Sequence, residues 1–296
     1  MELQELERST LFSIKDKIER ELAKSIFGFG EKTKLRDACE YALKSGGKRF
    51  RPLIVYLVAD ALGQGHDVRD GALAVEFFHT SSLIIDDLPC MDDDDERRNK
   101  PSLHKVYGES TALLASYALM IAGFEKIHFA ADALKALGDS YAKISDRIGQ
   151  LALALAAERA GILGATGGQF LDLFPEQRSL EVIKKIIHKK TITLFEVSFI
   201  FGWIFGGGNP ESVDEIARIA GHFGLAFQIA DDMHDLLQDE KKQRDTNIVR
   251  FLGRERTLQI FTAEFEEMQR GLTRHQLMTA SFKKLCSILE NYKEIR

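Results

Sequence analysis

Cysteine is scarce. The chain has three in 296 residues, Cys39, Cys90 and Cys286, and no CxxC pair. An odd, scattered set argues against a disulfide framework or a structural zinc site, and suits a reducing, cytoplasmic compartment. Proline is almost as sparse, at five residues, so long segments are free to be helical. No uninterrupted apolar run reaches the roughly 18 residues of a membrane helix. Leu194–Phe205 comes nearest, and Glu196 interrupts it. The opening Met1-Glu2-Leu3-Gln4-Glu5 lacks a signal-peptide pattern. Charge of one sign is also missing. The net value is −5, with Lys and Arg spread along the chain, so neither nucleic acid nor stable membrane insertion is expected. There is no Rossmann-type Gly-rich turn, no P-loop spacing and no convincing strand hairpin.

What is present is helical periodicity. Hydrophobic content is 45% and charged content 29%, as in soluble globular proteins. Apolar residues recur at i, i+3, i+4 in Leu3–Ile18, Leu35–Leu43, Asp70–Ile85, Thr111–Phe124 and Leu134–Ala160. Leu180–Lys190, Thr191–Gly206, Val213–Leu237 and Glu255–Asn291 continue the pattern, and Leu53–Leu62 is apolar almost throughout. The Gly and Pro breaks are short, as helix–helix connections are. The expectation is one all-α domain over residues 1–296, with roughly ten or more helices.

Two carboxylate clusters follow apolar runs. The first is Asp86-Asp87-Leu88-Pro89-Cys90-Met91-Asp92-Asp93-Asp94-Asp95-Glu96, with Arg97 and Arg98 directly after it. In a straight helix Asp86 and Asp92 would point about 120° apart. Pro89 forbids a straight helix, so the chain must bulge there and can bring Asp92 back beside Asp86. The second is Asp231-Asp232-Met233-His234-Asp235, whose acids share a helix face at i, i+3 and i, i+4. Crowded carboxylates need a cation, and hard oxygen donors suit Mg²⁺ bridging to a phosphate. Arg97 and Arg98 offer forks matched to phosphate oxygens. Ser45-Gly46-Gly47-Lys48-Arg49-Phe50-Arg51-Pro52 adds an open backbone and three cations, an anion-binding corner. Bland readings compete with each piece: solvated acidic helix ends, a basic helix start, a self-paired surface loop.

Taken in order, Gly46–Pro52, the Asp86…Asp92 block with Arg97-Arg98, Gly168-Gln169-Phe170-Leu171-Asp172-Leu173, Lys190-Thr191, Phe227-Gln228 and Asp231–Asp235 resemble the trans-isoprenyl diphosphate synthases, or polyprenyl synthetases. The two extra residues in the first aspartate block are similar to the bacterial and plant geranylgeranyl type. The resemblance implies the isoprenoid synthase helical bundle around a deep central cavity, usually as a homodimer. It implies head-to-tail condensation of isopentenyl diphosphate with a C5–C15 allylic diphosphate by ionisation, condensation and elimination. Asp86, Asp92 and Asp231 would hold Mg²⁺, three ions per site, with Asp87, Asp232 and Asp235 close by. Arg97 and Lys190 would bind the allylic diphosphate; Lys48, Arg51, His79 and Arg98 would bind isopentenyl diphosphate. The Lys190 carbonyl, the Thr191 hydroxyl and the Gln228 amide would face the allylic cation.

The helix ending at Asp86 bears on product length. Ser82, Ser81 and Phe78 lie four, five and eight residues before Asp86, one and two turns down. Ser81 is expected to leave space open, and Phe78, or Phe77, to form the floor. A C20 product is expected, with C15 next and longer chains third; the rival reading is that Phe78 is ordinary core packing and another helix sets the floor. Departures from the family pattern are Arg97-Arg98-Asn99-Lys100-Pro101-Ser102 for Arg-Arg-Gly-x-Pro-Thr, Ser116-Tyr117 for Gly-Asp, and a shortened segment after Asp235. There Lys241 or Lys242 would replace the usual loop lysines. A non-catalytic regulatory subunit and a terpene cyclase are the rival classes. Intact aspartate motifs oppose the first, and the Lys48–Arg51 corner with Arg98 opposes the second.

Overall fold

The computed structural model describes residues 10–175, 177, 179–234, 236 and 247–292. Helix α1 (Thr10–Ser25) buries Leu11, Ile14, Ile18 and Leu22 on one stripe. Helix α2 (Lys34–Leu43) starts where the Thr33 hydroxyl accepts from the Arg36 N–H. Helices α3 (Phe50–Leu62) and α4 (Arg69–Asp86) are buried over most of their length. A small antiparallel hairpin, β1 (Glu96–Arg97) and β2 (Lys100–Pro101), leads to α5 (Leu103–Tyr107), α6 (Glu109–Lys135), α7 (Asp139–Ala160) and α8 (Ala165–Leu173). Helix α9 (Leu180–Ile187) passes through a π-turn (His188–Ile192) into α10 (Thr193–Phe205). Helix α11 (Val213–His234), α12 (Ile248–Leu252), α13 (Arg254–Arg274) and α14 (Ala280–Tyr292) complete the chain.

The all-α expectation holds, with α10 as the axis. Every residue of α10 is buried, as a helix apolar on all sides requires. Helices α3, α4, α7 and α11 surround it. Phe195 and Phe199 meet Phe223 of α11 at ring-centroid distances of 5.1 and 5.5 Å. Gly202 lets α3 approach, because a Cβ there would lie 2.6 Å from the Val55 carbonyl oxygen. Glu196, the acid that interrupts the apolar run, is paired with Arg159 of α7 at 2.7 Å. A buried carboxylate needs such a partner.

Several boundaries differ from the sequence pattern. The Leu134–Ala160 segment is divided at Gly138, which has a φ of +121°, and α6 continues past Phe124 to Lys135. The Glu255–Asn291 segment breaks between α13 and α14, where Gln276 is left-handed. A hairpin exists where none was expected. Arg98 and Asn99 both carry positive φ, +56° and +61°, the backbone of a two-residue hairpin turn. The usual Asn-Gly or Asp-Gly signal is absent, so the turn was hidden. The membrane criterion also shifts. Glu109–Lys135 and Ser140–Leu173 reach a mean hydropathy of 1.2 over a span-length window, because alanines raise the average without forming an unbroken run. Helix α6 exposes a stripe of Leu114, Tyr117 and Ile121 to solvent.

Candidate active site

The first aspartate cluster is a closed turn. The Asp92 N–H donates to the Asp86 carbonyl at 2.9 Å, and Met91 N–H donates to Leu88 at 2.8 Å. Pro89 therefore ends α4 and doubles the chain back, as its chemistry demands. Burial pushes the Asp86 carboxyl up to about 7; Lys190 opposes that rise and Asp92 adds to it. Asp87 points elsewhere. It is 3% exposed and accepts two bonds from the Arg97 guanidinium, which also lies near Asp94 at 3.4 Å. Asp87 thus orients Arg97 through its Oδ1.

The Gly-rich corner and the hairpin fit into one another. Gly46 and Gly47 have φ of +87° and +124°. A Cβ on Gly47 would lie 2.5 Å from Arg98 Cζ, so a larger residue there would displace the guanidinium, which donates to the Gly46 carbonyl. Arg49 is separated from the other cations of the corner. Its fully buried side chain pairs with Glu76 and Glu19 and donates to the Leu43 carbonyl. Arg51 faces inward, its Nη1 lying 3.2 Å from His79 Nε2. Burial, with Arg51 and Arg98 nearby, holds the His79 pKa well below its usual value, so its neutral ring accepts this bond. Burial lowers Arg51 to about 10, leaving it charged at neutral pH. Its Nε has no protein partner among the described residues, a cation with a donor to spare.

The π-turn supplies the third wall. A π-turn leaves i→i−4 bonding and frees backbone groups, and such bulges concentrate at functional sites. Gly168 of α8 abuts it: a Cβ there would be 2.4 Å from Lys190 N. Lys190 Nζ lies 2.7 Å from Asp172 and 3.8 Å from Asp92. The Thr191 hydroxyl donates to Gln228 Oε1 at 2.7 Å, and Gln228 Nε2 donates to Asp232 at 2.6 Å. Asp232 also accepts the Ile248 N–H at 2.8 Å and is 7% exposed. It fastens α11 to α12 and fixes the Gln228 amide, so it is not an open metal donor. Asp231, one position earlier, turns the other way and pairs with Lys48 at 3.3 Å. Asp235, Lys241 and Lys242 lie outside the described residues.

These contacts close a ring. From Asp86 it runs to Asp92, to Lys190 and Thr191, to Gln228 and Asp232, along α11 to neighbouring Asp231, to Lys48, along the chain to Arg51, and back through His79 to α4. Two sets of carboxylates and three cations, Lys48, Arg51 and Lys190, lie along this ring. The polyprenyl synthetase family model matches residues 32–247. The chain is 40% identical over 217 residues to the farnesyl diphosphate synthase of Bacillus subtilis, covering 70% of this chain and 68% of that one. The chain belongs to the polyprenyl synthetase family. It is 39% identical to geranylgeranyl pyrophosphate synthase 7 of Arabidopsis thaliana, over 72% of this chain but only 60% of the plant protein. The likeness in structure extends further. A geranyltransferase from Legionella pneumophila superposes with a TM-score of 0.83 at 25% identity, covering 98% and 99% of the two chains. A geranyltranstransferase from Thermotoga maritima gives 0.80 at 29%, covering 97% and 100%.

Within this polyprenyl synthetase bundle, some participants were missed in the sequence. Gln169 donates to Asp92 at 3.2 Å, and Asp172 holds Lys190. Their only signal was the Gly168–Leu173 motif. Asn247 donates to the Asp232 carbonyl at 2.9 Å and caps α12. The expectation of open space at Ser81 is corrected. Its hydroxyl bonds the Ser116 carbonyl and hydroxyl, each at 2.9 Å, and it is 1% exposed. Ser82 bonds back to the His79 carbonyl of its own helix. Phe78 packs on Gly123 and on Phe124, with ring centroids 5.0 Å apart. Ser81 opposite Ser116 and Phe78 opposite Gly123 show α4 and α6 to be antiparallel.

Proposed function

We propose that the chain is a head-to-tail trans-prenyltransferase that joins isopentenyl diphosphate to allylic diphosphates and releases geranylgeranyl diphosphate. The observation that carries this reading is the ring itself: two carboxylate arrays with two cation groups, Lys190 with Arg97 and Lys48 with Arg51 and Arg98, enough for two diphosphates. The donor set fits Mg²⁺. Asp86, Asp92 and Asp231 are oxygen donors, and Asp86 is buried among like charges, a crowd that a cation relieves. Three Mg²⁺ held there would neutralise the diphosphate that departs from the allylic carbon.

This chain's own groups do the rest. Arg97, aimed by Asp87, and Lys190, held between Asp92 and Asp172, grip the allylic diphosphate. Lys48, Arg51 and Arg98 grip isopentenyl diphosphate, with His79 keeping Arg51 in place. The Lys190 carbonyl at the π-turn, Thr191 and Gln228 direct their dipoles toward the carbon that becomes cationic; preorganised dipoles of this kind lower such barriers. The terminal double bond of isopentenyl diphosphate attacks that carbon, and the released diphosphate takes the proton.

The C20 product is supported by the two extra residues in the first aspartate block and by the likeness to geranylgeranyl pyrophosphate synthase 7 of Arabidopsis thaliana. A C15 product is the second reading, because the relatives include a farnesyl synthase. A homodimer is supported by the exposed Leu114–Tyr117–Ile121 stripe, and a reducing, cytoplasmic setting by three free cysteines, two of them buried. The test is Asp92→Asn. Elongation should fall at least 100-fold while calorimetry still detects isopentenyl diphosphate at the Lys48–Arg51–Arg98 corner. Elongation at the wild-type rate would contradict the reading.

A further inference from the structure

The loop between Asp92 and Arg97 alternates in direction. Asp92 reaches Gln169, and Asp94 is buried beside Arg97, whereas Asp93 and Asp95 are exposed. Asp93 is held at a φ of +51°. Next to these two carboxylates stands His104 of α5. One donor atom from each of Asp93, Asp95 and His104 lies within 4.8 Å of the other two. His104 is only 7% exposed, and neither of its ring nitrogens meets a hydrogen-bond partner among the described residues. A buried imidazole with two idle nitrogens is uncommon, because both have lost water without compensation. None of these three residues belongs to the ring around the catalytic mouth.

We propose that Asp93, Asp95 and His104 form a second divalent-cation site, of the transition-metal class. One imidazole nitrogen and two carboxylate oxygens suit Zn²⁺, Co²⁺ or Mn²⁺ better than Mg²⁺, which prefers oxygen alone. Three protein donors leave further positions for water. The loop is already fastened at this point: the Ser102 N–H donates to the Asp95 carbonyl at 2.9 Å and its hydroxyl to the Asp94 carbonyl. Lys105 pairs with Asp95 Oδ1 at 2.6 Å, but both side chains are exposed and such a pair competes weakly. The second Asp95 oxygen remains for a metal. A bound cation would staple the loop bearing Asp92 and Arg97 to α5.

The test uses tag-free, full-length protein in which Asp86→Asn and Asp231→Asn remove two of the three Mg²⁺ donors but leave this loop, with Asp92, unchanged. Titration with Co²⁺ alone, followed by visible absorption and calorimetry, should show one saturable equivalent. Asp95→Asn and His104→Gln, each added to that background, should weaken it at least tenfold. No saturable equivalent in the background protein would overturn the proposal, as would undiminished binding in Asp95→Asn. Asp95 is exposed, so that variant decides the matter even if circular dichroism shows His104→Gln to be unfolded.

Discussion

Among single residues, Arg49 shows how a motif divides between support and chemistry. It lies between Lys48 and Arg51 in sequence, yet its side chain is buried against Glu76 and Glu19 in a left-handed conformation. Removing one partner of a buried pair leaves an uncompensated charge. Glu76→Ala should therefore destabilise the fold by about 3–5 kcal/mol, readable as a lowered urea midpoint; a midpoint equal to wild type would contradict that account. Thr191 is the opposite case, a small group placed for chemistry. Thr191→Val keeps the shape and removes the donor that orients Gln228. It should lower kcat on the order of 10²-fold with KM nearly unchanged, measured by steady-state kinetics. A change confined to KM would show that the hydroxyl serves binding instead.

At the scale of elements, the site depends on close approaches. Gly47 admits Arg98, Gly168 admits the π-turn, and Gly123 admits Phe78. Gly47→Val should displace Arg98 and raise KM for isopentenyl diphosphate more than tenfold, with KM for the allylic substrate little altered; equal shifts in both would contradict a dedicated corner. Phe78→Ala should extend the product beyond C20, and Ser81→Phe, pressed against Ser116, should shorten it. Products resolved by chain length check both, and unchanged lengths would remove these positions from the ruler. The closed turn from Asp86 to Asp92 was legible in the sequence because Pro89 has few structural options. The hairpin was not, because Arg98 and Asn99 take left-handed backbone with no glycine to announce it. Nor could the sequence divide Asp231 from Asp232. Neighbours on a helix point about 100° apart, and which one faces the mouth depends on where α12 packs. The Ser81–Ser116 contact joins residues 35 positions apart, a distance no local pattern spans. The π-turn was equally hidden, since Leu180–Phe205 keeps a helical apolar spacing across it.

For the whole molecule, α10 buries its full circumference, and the end of α4, α8, the π-turn and α11 bring polar side chains into contact with one another. The same bundle leaves the α6 stripe uncovered. Ile121→Glu should convert a dimer into a monomer by light scattering; a wild-type chain that is already monomeric would contradict the homodimer. The aspartates of both arrays are present in the sequence, which favours the proposed synthase over a regulatory subunit, and the second cation group favours it over a cyclase. The most direct measurement incubates the purified chain with Mg²⁺, labelled isopentenyl diphosphate and, in separate reactions, C5, C10 and C15 allylic diphosphates. The account predicts elongation of all three primers to a common C20 diphosphate. No elongation from any primer would contradict it.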